Sequence, residues 1–295
     1  MYDIKALYEA KSTEDAIRLL EEHPEAVIIA GGSDVLIKIR AGKLAGCELV
    51  SIYKLDELRG VTMTEDGEIR IGSLTSFHHI YSDPIVQKYI PVLGEAVNMV
   101  GSPQIRAIGT VGGNTCNGVT SADSASTLCA LDAIVEITGP DGVRTTPLVD
   151  FYAGPGRVHM AHNEIQTAIR IPKKSYEGYH GKYIKYGMRN ALEIATTGCS
   201  VNVKLSEDKK TIDDIRIGFG VAAPVPIRAA HAEETVRGLS VSRDTVEKCG
   251  EAVLSDVTPR NSWRASKEFR LHLCRTMAER ALEEAIERSG GSFDV

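Results

Sequence analysis

Two short runs of small residues carry the chemistry this sequence offers. Ala30, Gly31, Gly32, Ser33 and Asp34 follow the apolar run Val27, Ile28, Ile29, and the second run is Gly109, Thr110, Val111, Gly112, Gly113 and Asn114. Glycine lets backbone N–H groups come close to anionic oxygens and form a concave nest, so such turns commonly hold phosphates. Ser33, Thr110 and Asn114 add side-chain donors where basic residues are missing. Either run alone makes an ordinary turn; together they can grip a pyrophosphate from both sides. The stretch AIGTVGGNTCNGVTSAD at 107–123 is too poor in bulky side chains to bury much apolar surface, and it closes on an acid, Asp123.

The familiar nucleotide motifs are absent. No G-x-x-x-x-G-K-[ST] occurs and no G-x-G-x-x-G follows a strand, so neither a P-loop nor a Rossmann fingerprint is available. Cysteines at 47, 116, 129, 199, 249 and 274 are too scattered for zinc ribbons or iron–sulfur clusters and read as isolated thiols, so no metal is expected on this chain. His78 and His79 follow Thr75-Ser76 at a helix start, and neighbours in sequence point apart on a helix, which disfavours a two-histidine metal site. Trp263 beside Arg264 and Arg260 is expected to pack the domain or a subunit interface rather than stack a nucleobase.

The elements that must position the two runs are legible from pattern. Ser12 or Thr13 caps a helix whose buried face carries Ile17 and Leu20; the strand at 27–29 then ends at Gly31-Gly32. Residues 34–39 alternate less clearly, while 48–52 and 68–71 read as strands. From 84 to 100 the apolar positions fall on one helical face, ending before Gly101. Residues 128–130 read as helical and 134–138 as a strand; a hairpin turn at 140–142 leads into 143–147, and a further strand at 164–171 stops at Pro172. Beyond the polar stretch KKSYEGYHG at 173–181, antiparallel strands are expected at 182–188, 197–205 and 214–222. Helices follow from about 230, the last carrying Phe269, Leu273, Met277 and Ala281 in one row.

At 295 residues the chain has room for two domains. A balance of 34 bases against 40 acids recruits neither nucleic acid nor an anionic membrane surface. The charged start lacks the apolar core of a signal peptide and no window approaches a membrane span, so a cytoplasmic protein is expected.

AGGSD at 30–34, SPQIRAIGTVGGN at 102–114 and SAD at 121–123 resemble the FAD-binding subunit of the molybdenum hydroxylases, the xanthine dehydrogenase and carbon monoxide dehydrogenase family. The resemblance is nearest to the separate flavin subunit of bacterial xanthine dehydrogenases. It extends through NEIQTAIRIP at 163–172, YIKYGMRNALEIAT at 183–196, FGVAAPVPIRA at 219–229 and SWRASKEFR at 262–270, nearly the whole chain. It implies an α+β protein: a two-subdomain FAD-binding fold of the vanillyl-alcohol oxidase type at 1–175, divided near 58, and a C-terminal domain at 176–295 with a three-stranded antiparallel sheet and helices. It also implies noncovalent FAD. The residues from Val27 to Asp34 named above and those from Gly109 to Asn114 would line the diphosphate, and Asp123 would bond the ribose or ribitol region. Ile165 and Gln166 would lie against the flavin or adenine end, and Lys185 near the isoalloxazine. Two departures stand out: Val100 replaces an aromatic residue that animal relatives carry over the flavin, and Glu193 replaces an expected Asp.

By the same resemblance, hydroxylation belongs to a molybdopterin-binding large subunit, 2Fe-2S clusters sit on a small subunit, and this chain passes their electrons through FAD to NAD in a hetero-oligomer that is open to dimerisation. The flavin supplies the chemistry, so no catalytic acid, base or nucleophile is expected here. Two competing readings are a self-contained flavin reductase related to the cell-wall enolpyruvyl reductase, whose substrate domain finds no match after residue 173, and a nonredox protein using the loops for another phosphate ligand.

Overall fold

The computed structural model describes residues 2–293, so Met1 and residues 294–295, the outer ends of the two expected domains, lie outside the described residues. The chain opens with β1 (Ile4–Glu9), α1 (Thr13–Glu22), β2 (Val27–Ile29), α2 (Val35–Arg40) and β3 (Cys47–Ser51), whose strands form a parallel sheet in the order β1-β3-β2. Ser12 caps α1 by accepting from the Asp15 amide at 3.1 Å, and Ala16, Ile17, Leu19 and Leu20 pack the face beneath the sheet. Residues 34–39, ambiguous by alternation, are helical.

The second unit comprises β4 (Val61–Met63), β5 (Ile69–Gly72), α3 (Phe77–Ser82), α4 (Pro84–Tyr89), α5 (Pro91–Asn98), α6 (Pro103–Ile108), α7 (Val111–Cys116), α8 (Asp123–Ala130), β6 (Ile134–Gly139), β7 (Gly142–Pro147), α9 (Leu148–Phe151), β8 (Tyr152–Gly154), β9 (Arg157–Val158) and β10 (Ile165–Ile171). Its sheet runs β4-β5-β10-β6-β7, all antiparallel, with β8 and β9 as a separate ribbon. The helix expected over 84–100 is broken: Pro91 has no N–H to continue α4 and forces Ile90 to φ −138°, so α5 starts afresh at the proline. The second glycine run, expected as a loop, is α7. Thr110 caps it by accepting from the Gly113 amide at 3.1 Å.

The third unit has β11 (His180–Tyr186), β12 (Thr197–Leu205), β13 (Ile212–Gly220) and β14 (Ile227–Arg228) in one antiparallel sheet, followed by α10 (Ala230–Val236), α11 (Arg243–Ala252) and α12 (Lys267–Arg288). The expected three strands gain a fourth, two-residue partner. β12 is buried along almost its whole length, because α12 covers one face of the sheet and α8 of the second unit covers the other. That position explains the composition of α8, DSASTLCA: every residue is buried, and only small side chains allow the approach. A Cβ on Gly218 would stand 2.0 Å from the carbonyl oxygen of Ser126. Asn202 Nδ2 donates to the carbonyl of Ala130 at 3.1 Å across the same seam.

An ion pair also crosses it. Asp123, on the first turn of α8, accepts from the Tyr183 hydroxyl at 2.9 Å and from Lys185 Nζ at 2.8 Å, and Lys185 also donates to the carbonyl of Met99 at 3.0 Å. Both charged side chains are 7% exposed. Burial pushes the Asp123 carboxyl up; the Lys185 charge and hydrogen bond, then the Tyr183 hydrogen bond, pull it back. Burial first, and then the Asp123 charge, hold the Tyr183 hydroxyl well above its ordinary value.

Two outcomes are expected in urea unfolding of the ligand-free chain. Lys185→Met strands the buried carboxylate and lowers stability by about 3–5 kcal/mol, whereas adding Asp123→Asn recovers most of that loss; a double variant no better than the single one contradicts the pairing. Gly218→Ala, which drives a methyl into Ser126, costs on the order of 3 kcal/mol, while Gly142→Ala, in open space at φ +104°, costs only about 1 kcal/mol of backbone strain. Equal losses for the two glycines would remove the close approach as the cause.

Candidate functional site

The first two units meet at a cleft of about 460 Å³, within the range of small-molecule and cofactor sites. Its floor is the turn between β2 and α2. Gly32 takes φ +76°, and the amides of Gly31, Gly32, Ser33, Asp34 and Val35 make no hydrogen bond among the described residues although all five residues line the cleft. Five adjacent unpaired donors in a concave wall are the donor set an anion requires. The Asp34 carboxylate makes no capping bond to α2, so this residue contributes an amide rather than a cap.

The opposite wall is α7, and its chemistry differs from that of a nest. The amide of Val111 donates to Thr75 O at 3.1 Å, that of Gly112 to Ser73 O at 2.8 Å, that of Gly113 to Thr110 Oγ1, and that of Asn114 to Thr110 O at 3.0 Å. The backbone donors of this wall are therefore already engaged, and its glycines serve space. A Cβ on Gly112 would lie 2.6 Å from the Ser73 Cβ, whereas one on Gly113 would meet only Thr110 Oγ1, at 3.0 Å. Gly113 thus keeps the cleft open and Gly112 lets the wall dock. The two walls touch where Gly31 meets the end of α6, since a Cβ there would stand 1.9 Å from Ile108 O. Asn114 accepts from Ser124 Oγ at 2.6 Å.

Deeper in, Ile165 and Gln166 of β10 line the cleft. Gln166 Oε1 accepts from Thr115 Oγ1 at 2.8 Å and Cys116 Sγ at 3.0 Å, while its buried Nε2 has no partner. Burial raises the Cys116 thiol to about 12, so the one cysteine lining the cleft stays protonated and is a poor nucleophile at neutral pH. Val100, Phe77, Ile105, Leu74 and Ile28 supply apolar surface.

Of the residues singled out from sequence, Val27, Ile28, Ala30, Gly31, Gly32, Ser33, Asp34, Gly109, Thr110, Gly112, Gly113, Asn114, Ile165 and Gln166 line this one cleft. Four do not. Ile29 reaches within 3.4 Å of where a Gly32 Cβ would sit, Val111 is fully buried, and Asp123 and Lys185 spend their charges on each other. Lys38, Asn117 and His162 also line the cleft and were not anticipated. Lys38 donates to Asn117 Oδ1 at 2.8 Å, tying α2 to the end of α7. A helical reading of 34–39 would have placed Lys38 one turn beyond Asp34, on the same face.

The residues present suit a dinucleotide diphosphate: free amides on one side, space on the other, an apolar interior, and Lys38 as the cation in reach. The comparisons with known proteins agree. The family described as the FAD binding domain in molybdopterin dehydrogenase matches residues 2–174, and the CO dehydrogenase flavoprotein C-terminal domain matches 182–285. A xanthine dehydrogenase FAD-binding subunit of Escherichia coli O157:H7 is 44% identical over 293 residues, 99% of this chain and 100% of the relative. The carbon monoxide dehydrogenase medium chain of Hydrogenophaga pseudoflava is 29% identical, covering 94% of this chain and 96% of its own. A solved structure of carbon monoxide dehydrogenase from Hydrogenophaga pseudoflava superposes with a TM-score of 0.92 at 28% identity, over 98% of this chain and 99% of that one. The two glycine segments, the shared cleft and the C-terminal sheet thus have a common origin: this chain belongs to the FAD-binding subunits of the molybdenum hydroxylases.

Proposed function

We propose that the chain holds FAD noncovalently in this cleft and works as the electron-transfer subunit of a xanthine dehydrogenase-type complex. The observation that carries the reading is the row of unpaired amides from Gly31 to Val35, five consecutive residues that line the same cleft as Gly113. Those amides, with Ser33 and Thr110, would hold the diphosphate, and Ile165 and Gln166 would bound the deeper ring. Asp123 and Lys185, outside the cleft lining, would act through the frame as a preformed pair, their mutual bond holding the Lys185 ammonium on the carbonyl of Met99, next to Val100 of the cleft. When bound, the flavin accepts electrons singly and releases them in pairs, as hydride to NAD.

The remaining assignments follow the family. The domains would divide at 175/176, with subdomains at 1–58 and 59–175. The partners would be a molybdopterin-binding large subunit that oxidises a purine and a 2Fe-2S small subunit, in the cytoplasm. No helix among the described residues is long and apolar enough to cross a membrane, and no group of three metal-ligating side chains occurs among them. A self-contained reductase would need a substrate domain after residue 173, where the flavoprotein C-terminal domain stands instead.

The purified chain is expected to carry one flavin, absorbing near ~450 nm and released intact on denaturation. Flavin covalently attached to peptide, Cys116 first, contradicts the noncovalent site. Gly113→Val fills the cleft and meets only Thr110 Oγ1, at 3.0 Å, so it should abolish flavin retention while circular dichroism shows the fold persisting; full occupancy in that variant rejects the cleft. With flavin, the chain alone should pass electrons from NADH to an artificial dye and leave xanthine untouched. Xanthine turnover by the single chain would overturn the division of labour, and flavin that never reacts with NADH would overturn the acceptor alone.

A further inference from the structure

Most of the buried side-chain polar atoms that lack a hydrogen-bond partner belong to residues away from the cleft; Gln166 Nε2 and Ser73 Oγ belong to residues that line it. Both residues are only 3% exposed. They differ in what they can tolerate. A hydroxyl donates or accepts and turns to suit its surroundings, whereas an amide nitrogen carries two protons and accepts nothing. A buried, unpaired Nε2 is therefore the more costly orphan and the more informative one.

The Gln166 amide is held at its other end. Oε1 accepts from Thr115 Oγ1 at 2.8 Å and from Cys116 Sγ at 3.0 Å, which ties it to the last turn of α7. The Cys116 thiol, which burial keeps protonated, places its proton on Oε1 and so fixes which way round the amide lies. Thr115 has less need of the glutamine, because Val111 O and Gly112 O stand within 3.1 Å of its hydroxyl. The backbone is also adapted at this point. Successive residues of a strand point to opposite faces, yet Ile165 and Gln166 both line the cleft. The ladder between β10 and β6 shifts register between Gln166 and Ala168, a bulge of the kind that re-aims side chains beside sites. A methionine would fill much the same space without a donor to satisfy.

We propose that Gln166 Nε2 is a hydrogen-bond donor reserved for a neutral acceptor of the bound dinucleotide, a ring nitrogen or a ring carbonyl, and that leaving it unpaired lowers the stability of the ligand-free chain. The inference deepens the functional reading above and rests on it, because that reading supplies the ligand. The charge of the diphosphate is met by the amides from Gly31 to Val35, so a neutral donor beside the buried Ile165 suits an uncharged ring. Adenine offers ring nitrogens and the isoalloxazine offers carbonyls.

The test compares the full-length wild-type chain with Gln166→Met, each stripped of flavin and titrated with FAD. The ligand-free variant should melt at or above the wild-type temperature, and its dissociation constant for FAD should rise about tenfold. Thr127→Val removes another buried, unpaired hydroxyl, one outside the cleft lining, and should hold or raise the melting temperature with FAD affinity unchanged. Titrations with ADP and with FMN then locate the acceptor: a loss carried by ADP places it on the adenine, and one carried by FMN places it on the isoalloxazine. Gln166→Met that binds FAD as tightly as wild type overturns the inference. So does a ligand-free variant that melts below wild type, which makes the glutamine a structural residue. A wild-type chain that takes up no FAD removes the functional reading itself, whereas wild type and variant taking it up equally remove the reserved donor alone.

Discussion

A methyl group at Gly31 would stand 1.9 Å from the carbonyl oxygen of Ile108, and the cleft depends on that missing methyl. The contact lets the β2–α2 turn lie against the end of α6, one residue before the second glycine run starts. Gly112 repeats the device on Ser73, fixing α7 against the turn that follows β5. With both walls set by backbone contact, the turn from Gly31 to Val35 is left with its amides turned to no protein acceptor. The same substitution at different glycines therefore has different meanings: at Gly31 and Gly112 it separates the walls, at Gly32 it strains a positive φ, and at Gly113 it occupies the space between them.

A second constraint couples this cleft to the C-terminal unit. Helix α8 is small on every face, and β12 and β13 pack against it closely enough that Gly218 needs its missing side chain. In that seam Lys185 reaches the Asp123 carboxylate and the carbonyl of Met99, which precedes Val100 of the cleft lining. The pair is therefore structural before any ligand is considered. Its desolvation is offset by three strong hydrogen bonds, and it fixes where β11 lies relative to the cleft.

Much of this was legible in the sequence, and the gaps have physical causes. The glycine runs, the strand at 27–29, β10 ending at Pro172 and the long last helix follow from local pattern, because each has a strong period or an unambiguous stop. Helix α7 was not legible: VGGN has low helix propensity, and the six-residue helix persists because Thr110 caps it and Ser73 accepts from Gly112. Pro91 was readable as a break, yet the continuous apolar face across 84–100 outweighed it. The cleft residues from both glycine runs could be nominated from sequence, whereas the partnership of Asp123 with Lys185 could not, since it joins residues in different units. Lys38 was hidden by the same uncertainty that left 34–39 unassigned.

The donor set also accounts for how a chain with excess acid can take an anionic ligand. Unpaired amides pay no desolvation of their own counterions, and their dipoles are fixed by the turn rather than by flexible side chains. Cationic side chains are correspondingly few at the cleft, where Lys38 is tied to Asn117. The cleft is thus preformed and nearly neutral, suited to a small ligand held in one register.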